Sequence, residues 1–315
     1  MIKVSVIMPV YNTNKFALER CLKSLSKQTL DDIEFIIIDN GCNVFTNNII
    51  SQYKSSLKNL KLIKFSKNIG YSQAMNAGLK KARGEYIGFC DSDDYVDSNY
   101  YENLYNLVKY NKSDIITCGY FEEHKDKTIK HTLKDSRNNN LFDIIENGAV
   151  WNKLFNRNFI YTHNIHFSKK NLSVYADNFF LIQAVFFAKS VIVDKNDFYH
   201  YVIYDFSTIH GISLLDQKQS TYDVLDEAFK TLPTNIESES LIKFLFKSLP
   251  IQTLTQFPDS MNYITKTVVW KEIYNSLKRY NSPTFMQKMF SITKHPITQN
   301  IRIRILGIRK TRRKL

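Results

Sequence analysis

Tyr86-Ile87-Gly88-Phe89-Cys90 runs directly into Asp91-Ser92-Asp93-Asp94. The first five residues read as a short buried strand, and the next four set three carboxylates at its C-terminal end. Carboxylates this close repel one another, and beside an apolar strand they are costly unless a cation or hydrogen-bond donors compensate. Hard cations such as Mg2+ or Mn2+ favour oxygen ligands and commonly bridge protein carboxylates to phosphate oxygens. From the tetrad alone, an acidic turn in which Asp93 or Asp94 caps the next helix remains an equal alternative.

The same alternation of strand and helix extends to both sides. Residues 4–10 form an apolar strand closed by Pro9, and Phe16, Leu18, Leu22 and Leu25 recur at helical spacing up to about residue 27. Residues 34–39 are apolar throughout apart from their ends, as a strand covered on both faces requires, and Asn40-Gly41 breaks them. The pattern predicts a helix over 46–57, a strand over 60–65 and a helix over 72–82. After the acidic tetrad it predicts a helix over 97–111 capped by Asp97 or Ser98, then a strand over 114–119. Such alternation implies a parallel sheet flanked by helices, with ligands bound outside the C-terminal strand ends. Pro9 to Asn12, Asp39 to Gly41 and Asp91 to Asp94 all fall there. Residues 124–140 are polar and read as an exposed hairpin or loop; the chain becomes largely helical after Leu214.

The chain has 315 residues, 43% of them apolar, enough for a packed core and incompatible with global disorder. A net charge of +13 favours polyanionic partners: nucleic acid, an anionic membrane face or phosphorylated substrates. The four cysteines form no C-x-x-C pair, which argues against zinc and suits small buried thiols in a reducing compartment, although disulfides stay open. The N-terminal apolar stretch is too short for a signal peptide and no apolar run spans a bilayer, so the expectation is a soluble or peripheral cytoplasmic protein.

Other signals are weaker singly. Asp39 can accept from a ligand donor or make a turn with the backbone that follows it. In Asn68-Ile69-Gly70 and Asn76-Ala77-Gly78 the glycines allow close backbone approach, and Asn76 can bond a ligand or a neighbouring loop. Together these stretches resemble family 2 of the inverting glycosyltransferases, with the GT-A fold. The resemblance rests on Val4 to Asn12, Ile37-Ile38-Asp39-Asn40-Gly41, Asn68-x-Gly70, Ala74-x-Asn76-x-Gly78, Gly84-Glu85-Tyr86-Ile87 and the Asp-x-Asp of Asp91-Ser92-Asp93. It is strong over residues 2–120 and weaker to about 210. It implies that Pro9, Val10, Tyr11 and Asn12 contact base or ribose, and that Asp39 bonds a uracil imide. Asn68, Gly70, Asn76, Asp91 and Ser92 would also line the nucleotide sugar, with Mn2+ or Mg2+ on Asp93. Asn40, Cys42, Val44 and Met75 depart from the family's usual Asp, Ser, Asp and Arg, which removes polar donor contacts.

In the second half, Tyr175-Ala176-Asp177-Asn178 resembles the segment that supplies the family's base, with Ala176 where a Glu is usual. The resemblance implies Asp177 as catalytic base, against the plain alternative of an acid at a helix N-terminus. Trp151, Lys153 and His200 would lie on the acceptor side, with His210 a further polar candidate. The implied partners are a UDP-sugar and a glycan or lipid-linked glycan acceptor for cell-surface polysaccharide or lipooligosaccharide. A catalytically idle module binding sugar nucleotides or glycans is the competing expectation. The predicted organisation is a nucleotide-sugar half over 1–120, an acceptor half over 121–214, a helical region over 215–300 and a basic tail over 301–315. That tail mixes Arg302, Arg304, Arg309, Lys310, Arg312 and Arg313 with isoleucines. It suits an anionic lipid surface on the inner face of the membrane better than nucleic acid, since no aromatic platform accompanies it.

Overall fold

The computed structural model describes residues 1–109, 112–133, 148–172, 174–204 and 212–232, and three short strands further on. The chain forms two compact units, Met1–Thr253 and Leu254–Leu315. In the first, β1 (Val4–Val10), β2 (Ile33–Asn40), β3 (Lys61–Phe65) and β4 (Tyr86–Phe89) alternate with α1 (Lys15–Ser26), α2 (Val44–Gln52) and α3 (Tyr71–Leu79). Every residue of β2 is buried, which explains its unbroken apolar run. Asn14 starts α1 by accepting from Phe16 N at 3.0 Å, and Asn43 starts α2 by accepting from Thr46 N at 2.8 Å.

These strands run parallel in the order β3-β2-β1-β4. The chain thus leaves β1 to one side first and returns to its other side later, and the crevice lies where the order reverses. Pairing of Val10 with Asp39, and of Asp39 with Lys64, aligns the C-terminal strand ends.

Beyond β4 the sheet departs from the all-parallel expectation. After β5 (Tyr95–Val96) and α4 (Tyr100–Val108) come β6 (Ile115–Glu123), β7 (Thr128–His131) and β8 (Lys153–Asn156). They are followed by α5 (Arg157–Thr162), α6 (Ala176–Phe187), β9 (Val191–Val202) and α7 (Leu214–Thr231). The sheet continues β4-β8-β6-β9-β5, with β8 antiparallel to both neighbours and β6 parallel to β9. β5 and β8 are two- and four-residue strands beside an acidic turn and a Trp-Asn-Lys stretch, too short to produce a periodic signal. Of residues 124–140, expected as an exposed hairpin or loop, the first part turns back from β6 into β7, and residues 134–140 lie outside the described residues. α4 is capped at Asn99, not at Asp97 or Ser98; the Asp97 carbonyl instead accepts from Gln28 Nε2 at 2.8 Å.

An aromatic core ties β4, β8 and α6 together. Phe89 lies 5.9 Å from Phe155 and 5.5 Å from both Phe167 and Phe180, edge to face. Pairs of this kind contribute about 0.5–1.5 kcal/mol beyond burial. All four cysteines are free. Among the described residues no helix is long and apolar enough to cross a membrane.

The second unit's described part is an antiparallel sheet of β10 (Phe290–Lys294), β11 (Ile301–Ile305) and β12 (Ile308–Thr311). The stretch expected as a basic tail therefore contributes two strands. The helices expected between 233 and 289 lie outside the described residues.

Candidate active site

The turn after β4 is held by its backbone and by one of its three acids. Asp94 is 1% exposed; its Oδ2 accepts from the Tyr199 hydroxyl at 2.9 Å and its Oδ1 from Val202 N at 2.9 Å. Asp91 N donates to the same Tyr199 oxygen at 3.1 Å. Arg20 Nη2 donates to the Asp93 carbonyl and to Tyr204 Oη, both at 2.8 Å, with its guanidinium 4.5 Å from the centre of the Tyr95 ring. Ser92 Oγ lies 2.6 Å from Thr13 Oγ1. Asp94 is thus the structural acid, and Asp91 and Asp93 are the half-buried pair available to a ligand.

Their electrostatics fit a missing cation. Burial pushes the Asp91 carboxyl well above the usual range, and the charges of Asp94, Asp177 and Asp93 push it further. Burial also raises Asp93, against the opposing pull of Arg20. Hard oxygen donors held at such cost suit Mg2+ or Mn2+. Among the described residues no three His, Cys, Asp or Glu side chains are grouped to hold an ion alone, so a ligand would have to supply further oxygens.

Asp177 stands in the first turn of α6, entered through Tyr175 in the left-handed region at φ 64°. Its Oδ1 accepts from the Tyr71 hydroxyl at 3.0 Å and its Oδ2 from Val150 N at 3.4 Å. Burial raises its pKa to about 6, while Tyr71, Val150 N–H and the charge of Lys153 act to lower it. Tyr71 is itself raised well above its ordinary value by burial and then by the Asp177, Asp91 and Asp93 charges. Its ring therefore joins the base candidate from α6 to the acids after β4.

At the C-terminal end of β2, Asp39 is 3% exposed, accepts from Cys42 N at 2.7 Å and has Lys64 Nζ 4.0 Å from Oδ2. Cys42 Sγ turns to the Val10 carbonyl at 3.1 Å, and burial lifts its thiol to about 11. Tyr11 is exposed, and Asn12, at φ 49°, accepts from Asn43 N at 2.9 Å. Pro9 and the buried Val10 complete the end of β1. Asn40, where the family often has Asp, braces the next loop: its Nδ2 donates to Asn68 Oδ1 at 3.1 Å and its Oδ1 accepts from Ile69 N at 2.9 Å. Asn68 also accepts from Gly70 N at 2.8 Å. A Cβ on Gly70, at φ 88°, would stand 2.6 Å from Asn171 Oδ1.

Four expected contacts are corrected by geometry. Asn76 uses both ends of its amide on the Phe167 backbone, donating to O and accepting from N at 2.9 Å each, so it clips a neighbouring loop and is not a donor contact. Lys153 is 0% exposed and cannot meet an acceptor. His200 is stacked on Tyr95 and Phe121 and has both ring nitrogens engaged, with Glu123 (2.8 Å) and Asp97 (3.3 Å). Trp151, 5% exposed, lies flat against Tyr199 and Tyr201 at 4.3 and 5.4 Å, a floor more than a contact. His210 lies outside the described residues. Sequence patterns did not single out Tyr71 or Arg20: an isolated Tyr after a Gly and an Arg inside a helix carry no signal.

Comparison with known proteins identifies the family and the fold. The family model described as glycosyl transferase family 2 matches residues 5–189. The putative glycosyltransferase EpsH of Bacillus subtilis is 34% identical over 64% of this chain and 61% of its own length, so the match spans about three fifths of that relative. The poly(ribitol-phosphate) beta-N-acetylglucosaminyltransferase TarP of Staphylococcus aureus is 33% identical over 74% of this chain and 72% of its own. A crystal structure of S. aureus TarS residues 1–349 with UDP-GlcNAc superposes with a TM-score of 0.66 at 21% identity, covering 91% of this chain and 81% of that one. That likeness shows a GT-A fold.

Proposed function

The chain belongs to glycosyl transferase family 2, and from that premise we propose that it moves a hexose or N-acetylhexosamine from a UDP-sugar to a hydroxyl of a bacterial cell-surface glycan. The reaction is a single displacement that inverts the anomeric centre, with Asp177 as base. One observation carries this reading: the Tyr71 hydroxyl, 3.0 Å from Asp177, brings that carboxylate into the field of Asp91 and Asp93. A base candidate and a diphosphate-binding pair thereby share one rim of the sheet.

The acceptor hydroxyl is a poor nucleophile, so its proton must leave as the new bond forms. Asp177 takes that proton. With a pKa near 6 it is largely ionised at neutral pH, yet it holds a proton better than an ordinary aspartate. Tyr71 and Val150 N–H fix its plane, so one carboxylate edge faces the acceptor. Asp39 and the end of β1 orient the base and ribose, and Asp91 the ribose or sugar. Asp93 would hold Mg2+ or Mn2+, which when bound would offset charge on the departing diphosphate. The relatives' names make UDP-GlcNAc the first donor to try. The basic stretch 301–315 would dock on anionic lipid next to a lipid-linked acceptor, tested by vesicle co-sedimentation with and without it.

The test is release of UDP from a panel of UDP-sugars with and without Mn2+. Metal-dependent release from one sugar, lost in Asp93→Asn, is expected. Tight UDP-sugar binding with no turnover under any acceptor would establish an idle binding module instead.

A further inference from the structure

Lys153 carries a charge in a place no substrate reaches. Its Nζ donates to the Ala149 carbonyl at 2.6 Å and to Asn152 Oδ1 at 2.7 Å. Asn152, 1% exposed, is anchored in turn by Nδ2 to the Cys118 carbonyl at 2.6 Å. The Ala149 carbonyl and the Val150 N–H belong to one peptide group, and that N–H is the one given to Asp177 Oδ2 at 3.4 Å. A cation therefore sits at one end of a peptide dipole and the proposed base at the other. Gly148, at φ 67°, lays this turn against α6: a Cβ there would stand 3.0 Å from Asn178 Nδ2.

Burying an ammonium is expensive, and an aliphatic side chain would fill this strand position without that cost. Burial draws the Lys153 pKa down to about 7, while the charge of Asp177 favours the protonated form. A cation on the carbonyl polarises the peptide and strengthens its N–H as a donor, by about 10–30% on general estimates. We propose that Lys153 is a positioning residue for Asp177, orienting and polarising the Ala149–Val150 peptide so that its N–H holds the base in ionised form. This rests on Asp177 being the base.

The charged and titratable groups facing Asp177 are Tyr71 from α3, Asp91 from the end of β4 and Lys153 from β8. Removing the cation leaves burial and Asp91 to act against one hydroxyl. The Asp177 pKa then rises, and since only the ionised carboxylate accepts a proton, the acid limb of activity moves to higher pH.

Lys153→Met and Lys153→Arg test this in the full chain. Asp177 is titrated by carbon-13 NMR of aspartate-labelled, metal-free protein, its signal identified by loss in Asp177→Asn. Lys153→Met should move that titration up by about one pH unit. It should also lower kcat about twofold at pH 7 and about tenfold well below pH 6, with KM for the UDP-sugar unchanged, while Lys153→Arg titrates like wild type. An Asp177 titration unmoved in folded Lys153→Met overturns the proposal and leaves Lys153 a brace for the turn. Should Lys153→Met fail to fold, the Val150 amide proton is followed in Asp177→Asn: it should shift as Lys153 titrates, now below its wild-type value of about 7 because the Asp177 charge is gone, and a flat response overturns the proposal equally. The titrations need no turnover, so a protein inactive on every UDP-sugar would remove the base assignment while the coupling was still measured.

Discussion

Two ends of one sheet bury acids in opposite ways. At the N-terminal end of β2, Glu34 is 0% exposed, yet its carboxylate accepts from Ser5 Oγ at 2.6 Å and Arg83 N at 2.8 Å, with Arg83 Nη2 and Lys61 Nζ at 3.0 and 3.1 Å. Burial alone would raise its pKa; the donors outweigh that and hold it below the usual range. At the C-terminal rim, Asp91, Asp93 and Asp177 are less buried and every one is raised. Lys61 from β3 and Arg83 both reach Glu34, whereas at the rim Arg20 only partly offsets the burial of Asp93, and Lys153 that of Asp177. The protein tolerates uncompensated charge only where a ligand would bring the compensation, and it completes its own ion pairs where none comes.

The largest expected effect lies at the rim. Asp177→Asn removes the base and should lower kcat by about a thousandfold, in the range that general bases contribute, with UDP-sugar binding retained in calorimetry. Turnover near wild type would dissolve the contrast, because the raised carboxylate would then have no task.

The stability effects should carry opposite signs. Glu34→Gln leaves Arg83 and Lys61 facing a neutral amide, and should cost about 2–3 kcal/mol and lower Tm by about 5–10 °C, with kcat of the folded fraction unchanged. Asp91→Asn in metal-free protein at pH about 8 should raise Tm by about 2–4 °C, since it removes a charge the fold holds at a loss. The sign follows from linkage. A carboxyl whose folded pKa is raised loses stability as pH rises through the window between its unfolded and folded values. As pH falls through the raised folded value Asp91 takes up its proton, so the Tm difference between wild type and Asp91→Asn should close on acidification. Glu34 behaves inversely: its contribution is present above the unfolded value and is lost as pH falls through the depressed folded one. Scanning calorimetry over a pH series from about 8 down to about 3 reads both. A drop in Tm for Asp91→Asn would mean that the rim acid is a structural partner like Glu34.

This contrast also divides what the sequence made legible from what it hid. The parallel half could be read because β1, β2 and β4 are continuous apolar runs ending in Pro, Asp-Asn-Gly or Asp-Ser-Asp, so strand and strand end share one short window. Asp39, Asp91 and Asp93 stand out because a carboxylate beside such a run is conspicuous, whereas Asp177 is reached only through the family resemblance. The antiparallel half stayed hidden because β5 and β8 pair through residues far along the chain, and pairing partners leave no mark on a local pattern. The same cause misplaced Lys153 and Asn76. Both are polar residues in a likely-looking motif, and only tertiary contacts decide that one points into the core and the other clips Phe167. Compensation is a property of distant partners: nothing near Glu34 in sequence announces Arg83, and nothing near Asp177 announces Tyr71.

Tyr71→Phe should give the smallest effect of the set and the sharpest one. The ring and its packing against Phe167, 6.1 Å edge to face, are kept, and only the hydroxyl that donates to Asp177 Oδ1 is lost. That donor lowers the proton affinity of a base which burial has already raised to about 6. Without it Asp177 titrates higher, and the acid limb of kcat/KM should move up by about half to one pH unit. Well above the limb, where Asp177 is ionised in both proteins, kcat should fall only about threefold to tenfold through loosened orientation. The Tm should fall by no more than about 3 °C, because the hydroxyl lies among carboxylates and removing it leaves only one neutral-donor bond unmade. A uniform loss of activity at every pH, with an unmoved limb, would mean that Tyr71 contacts substrate directly. Compensation of the base would then fall to the Val150 N–H and Lys153 alone.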